Sequence, residues 1–245
     1  MIPQEWPASS RPFTANPPPD TVGIVLPVRD NLRFVKLALH SILDFTAGRY
    51  MLTLVDNMSG FKTRQYLESA RSNNPINVLQ HQTSRSLSAI WNTGVRFMFA
   101  YSNVRYAVVL TPSVVMSPGW LGSMVKAANH NPTTGLVNPH SVLSTHDRVL
   151  SGTDIEHVWP FCTLIKRTLY ERLSGFDETY TEPGHCIQDF TERARKAGFR
   201  AFCDDETYVH NYWRYGWQPD SVAQAKDAER LLATYSRGVP ALNGG

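Results

Sequence analysis

The chain has 245 residues, of which 42% are hydrophobic and 18% charged, with a formal net charge of +3. That length can bury a full core and favours one large α/β domain over two small ones, and the composition is that of a globular protein rather than a disordered or fibrous one. No apolar run approaches the ~20 residues of a membrane-spanning helix, no charged-then-apolar leader opens the sequence, and Cys162, Cys186 and Cys203 form no C-x-x-C pair, so the expectation is a reduced, cytoplasmic protein.

Residues 1–20 carry six prolines (Pro3, Pro7, Pro12, Pro17, Pro18 and Pro19) and read as a proline-rich arm that cannot be helical. Thr21 to Leu26 is a short β-branched run stopped by Pro27, the pattern of a buried strand. Leu32, Val35, Leu39, Ile42 and Leu43 then recur at helical spacing over Asn31–Phe45. A strand over Tyr50–Val55, a helix around Lys62–Ser72, a strand near Ile76–Gln80, a helix over Leu87–Tyr101 and a strand over Tyr106–Leu110 follow. Such alternation predicts βαβ units and a mostly parallel central sheet flanked by helices. Ser117-Pro118 reads as a helix start with Ser117 as N-cap. Residues 135–165 look like a smaller mixed region, 166–200 holds two helices, and a last helix runs from about Asp220 to Tyr235. The expected division is an arm (1–20), a main α/β domain (21–218) and a C-terminal helix and tail (219–245) packed on it.

Ligands of open α/β sheets bind beyond the carboxyl ends of the strands. That rule selects Pro27-Val28-Arg29-Asp30, Asp56-Asn57-Met58-Ser59 and Thr111-Pro112-Ser113 as one rim. Each piece has a structural alternative: Asp30 can simply N-cap the next helix, and Asp56-Asn57 can simply form a turn.

In order, five segments resemble the signatures of family 2 glycosyltransferases: Leu26–Asp30, Leu54–Ser59, Leu87–Gly94, Tyr106–Leu121 and Leu164–Glu178. The resemblance spans about residues 22–212. It implies a GT-A (Rossmann-like) fold and an inverting transfer of sugar from a nucleoside-diphosphate sugar, a UDP-sugar foremost, to a hydroxyl. The acceptor class stays open between a saccharide, a protein and a modified DNA base; a non-catalytic nucleotide- or partner-binding module is the other alternative. On this resemblance Pro27, Arg29, Asp30, Asp56, Asn57, Arg85, Asn92, Thr111 and Ser113 line the donor site.

Inversion needs a carboxylate to take the acceptor proton and positive charge to stabilise the leaving diphosphate. The family's E-D-x-D motif aligns with Cys186-Ile187-Gln188-Asp189, so Asp189 is the expected base, with Asp177 and Glu182 in reserve. Asp189 and Glu192 also have capping-box spacing, which would make Asp189 the N-cap of its helix. The family's D-x-D metal motif is replaced by Thr111-Pro112-Ser113, leaving His210 as the candidate ligand for Mg²⁺ or Mn²⁺. Trp159, Glu182, Trp213 and Arg214 are expected at the acceptor side or in a lid.

Overall fold

A computed structural model describes residues 17–18, 20–101, 103–141, 153–212 and 221–235. Strands β1 (Val22–Val28), β2 (Tyr50–Asn57), β3 (Ile76–His81) and β4 (Tyr106–Leu110) pair in parallel in the order β3-β2-β1-β4. The connections are α1 (Leu32–Phe45), α2 (Phe61–Asn73) and α3 (Leu87–Phe99). Beyond β4 the sheet turns mixed. β8 (Cys162–Lys166) runs antiparallel to β4 and to β6 (Thr134–Ser141), while β9 (Arg200–Asn211) is parallel to β6. Short strands β5 (Val114–Met116) and β7 (Thr153–Ile155) complete it, both antiparallel to β9. This is the expected α/β architecture, with one half wholly parallel and the other mixed.

Alternation along the buried strands divides the core in two. Ile24, Leu26, Leu52 and Leu54 face one side, against Val35, Leu39 and Ile42 of α1, Leu67 of α2, and Trp120 and Met124 of α4 (Trp120–His130). Val25, Met51 and Val55 face the other, against Ile90, Trp91 and Val95 of α3, Leu169 of α5 (Arg167–Leu173), Ile187 and Phe190 of α6 (Pro183–Lys196), and Leu231 of α7 (Ser221–Tyr235). Each fully buried Leu, Ile or Phe contributes roughly 1.5–3 kcal/mol of transfer free energy, so both helical layers are firmly held to the sheet. α3 lies closest: a Cβ at Gly94 would meet Val25 Cγ1 at 2.5 Å, which only a glycine avoids.

Three local expectations are corrected. Pro27 does not stop β1; it pairs with Val55 inside the strand. The β1–β4 ladder has ended at Val25, so the missing N–H of Pro27 costs no bond on that side. Ser117 is not the cap of α4. Gly119, at φ 81°, takes that place, and Ser117 Oγ instead reaches the Tyr208 carbonyl and Thr207 on β9. Asp189 lies inside α6 rather than at its mouth, because the helix already starts at Pro183 with Glu182 as N-cap.

Candidate active site

Three loops meet at the carboxyl edge of the parallel strands. Asp30 does not cap α1; Asn31 stands at that position. Asp30 joins the first two loops instead, its N–H donating to Ser59 Oγ (2.9 Å) and its Oδ1 accepting from Gly60 N (2.8 Å) and Thr63 Oγ1 (3.2 Å). Asp30, Asn31 and Met58 all have left-handed backbone (φ 49°, 47° and 66°). For a non-glycine residue, and for Met above all, that conformation persists only where surrounding bonds over-determine it. Asp56 is buried, with Oδ1 accepting from Ser59 N (3.0 Å) and Oδ2 at 3.8 Å from Arg64 Nε. The turn alternative is thus realised, and its product is a fixed loop.

The third loop is tied in by Asn57, whose side chain accepts from Arg85 N and donates to Arg85 O, both at 2.9 Å. Asn57 is therefore a tie rather than an open ligand. Arg85 is delivered by it, exposed, to the same rim as exposed Arg29. Pro27 is buried in β1 and contributes only backbone.

Asn92 is corrected outright. It is fully buried on α3, donating to Phe176 O (2.9 Å) and Glu178 Oε1 (2.8 Å) and accepting from Tyr170 Oη (2.7 Å) and Phe176 N (2.9 Å). With its amide capacity spent, it fastens the Gly175–Glu178 loop to α3 and does not face a donor. Gly175, at φ 87°, allows the approach, since a Cβ there would sit 2.7 Å from Asn92 Oδ1.

At the end of β4, Thr111 and Ser113 are buried with their hydroxyls 3.2 Å apart. Tyr212 N donates to Ser113 O (2.8 Å), and His210 pairs with Val115 across β5 and β9 while its ring meets Tyr208 edge-on. The fold thus brings the Thr-Pro-Ser segment and His210 into one neighbourhood. Hydroxyls bonded to each other are poor ligands for a hard divalent cation, and among the described residues no three His, Cys, Asp or Glu side chains converge. The donor set does not fit Mg²⁺ or Mn²⁺. Beside it, buried Asn138 accepts from Trp159 N (2.8 Å) and donates to Trp159 O (3.0 Å), presenting an indole that is 37% exposed. Trp213 and Arg214 lie outside the described residues.

Asp189, on α6, is 4% exposed and has both oxygens engaged. Oδ2 accepts from Arg193 Nε at 2.8 Å and Oδ1 from Tyr235 Oη at 2.7 Å. Arg193 in turn donates to the carbonyls of Leu173 and Gly175 (3.1 and 3.0 Å), so the pair braces the loop that precedes α6. Burial and the Asp189 carboxylate push the Tyr235 phenol up, keeping it a donor at neutral pH. Glu182 is also buried, its N–H given to Asp227 Oδ2 (2.6 Å), which further accepts from Thr181 N and Oγ1. Asp177 accepts from Thr179 N and Oγ1. Partial burial works to raise its carboxyl, but those bonds, with Arg230 and Arg193, outweigh it and hold the group below the usual aspartate value. Cys186 is a buried thiol pushed up by desolvation and is no nucleophile.

Sequence reasoning missed Asp227 and Tyr235, because nothing local signals that a C-terminal helix will hold the start and middle of α6. His185 drew no attention in the sequence either. That residue sits on the first turn of α6, where spacing within a degenerate motif drew attention to Asp189.

The comparisons with known proteins bear on the fold and the family. The family model described as glycosyl transferase family 2 matches residues 23–186. A search of curated proteins gives no match. Among solved structures, the mannosyltransferase PcManGT of Pyrobaculum calidifontis, in complex with GDP-Man and Mn²⁺, superposes with a TM-score of 0.70 at 17% identity over 94% of this chain and 69% of that one. GalNAc-T7, with UDP, GalNAc and Mn²⁺, gives 0.73 at 13% identity over 87% of this chain, which spans only 47% of that protein. Residues 1–349 of S. aureus TarS give 0.62 at 12% over 89% and 73%. At such identities the likeness establishes the fold, GT-A; the match over residues 23–186 establishes more, that the chain belongs to glycosyl transferase family 2.

Proposed function

We propose that the protein transfers a sugar from a nucleoside-diphosphate sugar, a UDP-sugar foremost, to a hydroxyl acceptor with inversion. The observation that supports this most is the hydrogen-bonded joining of the 29–30, 56–60 and 85–86 loops, with Arg29 and Arg85 exposed above them. Asp56 keeps Oδ2 as an acceptor for the base, while the two guanidinium groups pair with diphosphate oxygens. Solved GT-A neighbours hold GDP-Man or UDP together with Mn²⁺. Here the neutral Thr111-Pro112-Ser113 segment suits a donor site that works through arginines, and no step is assigned to a metal. Trp159 offers an aromatic face for a sugar ring on the acceptor side.

The test is thermal stabilisation by UDP-glucose, UDP-N-acetylgalactosamine and GDP-mannose, followed by assay of donor turnover. One of them should raise the melting temperature in proportion to the logarithm of its concentration. No stabilisation by any of the three would sink the transferase reading.

A further inference from the structure

An inverting transferase needs a proton acceptor at the acceptor hydroxyl, and on α6 the family positions for it are closed. Cys186 and Ile187, each 1% exposed, are packed into the core, and Asp189 has both oxygens committed to Arg193 and Tyr235. Such a carboxylate is 4% exposed, and taking a proton would cancel the charge that faces Arg193, which is costly at each turnover.

His185 is placed differently. It precedes Cys186 on the first turn of α6, directly after Pro183-Gly184, and is partly exposed. Its Nδ1 is shielded from bulk solvent and has no hydrogen-bond partner among the described residues. A sheltered, unpartnered ring nitrogen is uncommon in native structures and calls for an explanation, a catalytic role among them. Two contacts fix where this turn lies. Ser88 Oγ, in the first turn of α3, donates to Tyr180 O (3.0 Å) just ahead of Pro183, and α3 and α6 are in contact. One turn further along α3, Trp91 Nε1 donates to Leu110 O (2.9 Å), the last residue of β4. The first turn of α6, which carries His185, therefore lies on the side of α3 and of the loop before it, where Arg85 is held.

We infer that His185 is the general base of the transfer, and that Asp189 serves only to brace α6. This rests on the transferase reading above. The imidazole takes the proton of the acceptor hydroxyl as that oxygen forms its bond to the anomeric carbon. The bond from that carbon to the diphosphate oxygen breaks, and its electron pair leaves on the nucleoside diphosphate. A ring nitrogen of a neutral imidazole carries the lone pair this step needs.

The experiment uses the full chain, with the donor that stabilises it and water as acceptor, read as donor hydrolysis. His185→Ala should leave nucleoside-diphosphate binding within about twofold while turnover falls about 10²–10⁴-fold, the usual worth of a general base. Added imidazole should restore part of that loss, which a structural role would not allow. His185→Gln, which keeps volume and polarity, should bind like wild type, stay as slow as the alanine variant and also melt like wild type. Turnover of either variant within about threefold of wild type overturns the assignment, as does a loss in His185→Ala that imidazole does not relieve. A wild-type chain that binds no donor overturns the transferase reading and takes this inference with it.

Discussion

The two halves of the sheet treat their polar residues in opposite ways. At the ends of β1 and β2, the side chains of Asp30, Asn57 and Ser59 tie the loops together and the cations are left outside, Arg29 and Arg85 both exposed. Around α6 the charges themselves are the ties. Asp189, Arg193 and Asp227 are consumed in holding the helix, its preceding loop and α7 together. A family motif therefore identifies the fold equally well in both halves, but in the second its acidic position, Asp189, is spent on bracing.

The largest expected effect separates bracing from binding most cleanly. Asn92→Ala would strand the Tyr170 hydroxyl and the Phe176 N–H and carbonyl in the core. Stranded buried groups cost about 1–3 kcal/mol each, so roughly 3–5 kcal/mol should be lost in urea unfolding. Should the variant instead unfold like wild type while losing stabilisation by donor, Asn92 belongs to the donor site and the comparison fails. Asp189→Asn comes next. It removes the charge facing Arg193, whose side chain is 26% exposed, and about 2–4 kcal/mol of stability should go with it. Tyr235→Phe should cost about 1–2 kcal/mol, and the double variant less than the sum, since both changes act on one carboxylate.

Arg85→Ala probes the other half. Its side chain is exposed, so melting should barely move, while donor affinity should fall about tenfold, equivalent to ~1.4 kcal/mol. Equal losses of stability and affinity would mean that the rim arginines are braces as well.

How much of this was legible follows from range. The strands and helices of the parallel half were readable because periodicity and β-branched runs are local, and the Asp56-Asn57 loop was visible because a strand must end before its ligand. What Asn57 and Asn92 do was not legible: their partners, Arg85 and the Phe176 loop, lie 28 and 84 residues away. The capping box at Asp189-Glu192 misled for a related reason. The spacing is right, but Pro183 is pre-organised for a helix start and begins α6 earlier, leaving Asp189 inside the helix to find Arg193 one turn on. The base position is the hardest to read, since it turns on which side chains the first turn of α6 buries.

A smaller effect tests the electrostatics of the mixed half. The Asp177 carboxyl is depressed in the folded chain, so below its unfolded value of 3.8 the unfolded state binds more protons than the native one. Its contribution is complete above that value and is lost as pH falls through the folded one. Asp204 is shifted the other way by burial, so its native form holds the proton longer and its ionisation weakens the fold as pH rises from 3.8. Acid unfolding of Asp177→Asn should accordingly be shallower than wild type below about pH 4. Asp204→Asn should instead flatten the pH dependence just above it.

The smallest effect is an expected equality, and it bears hardest on the donor half. If the diphosphate is held by Arg29 and Arg85 rather than by a cation at Thr111-Pro112-Ser113, stabilisation by the best donor should be the same in Mn²⁺ and in EDTA, within about twofold in apparent affinity. It should instead weaken steeply with salt, because exposed guanidinium–phosphate pairs are screened over about 10 Å at 0.1 M ionic strength. A tenfold gain with Mn²⁺ would require carboxylate or imidazole ligands brought to the end of β4, with His210 the first to substitute. It would also remove the contrast between the halves, since charge there would again be held for the ligand.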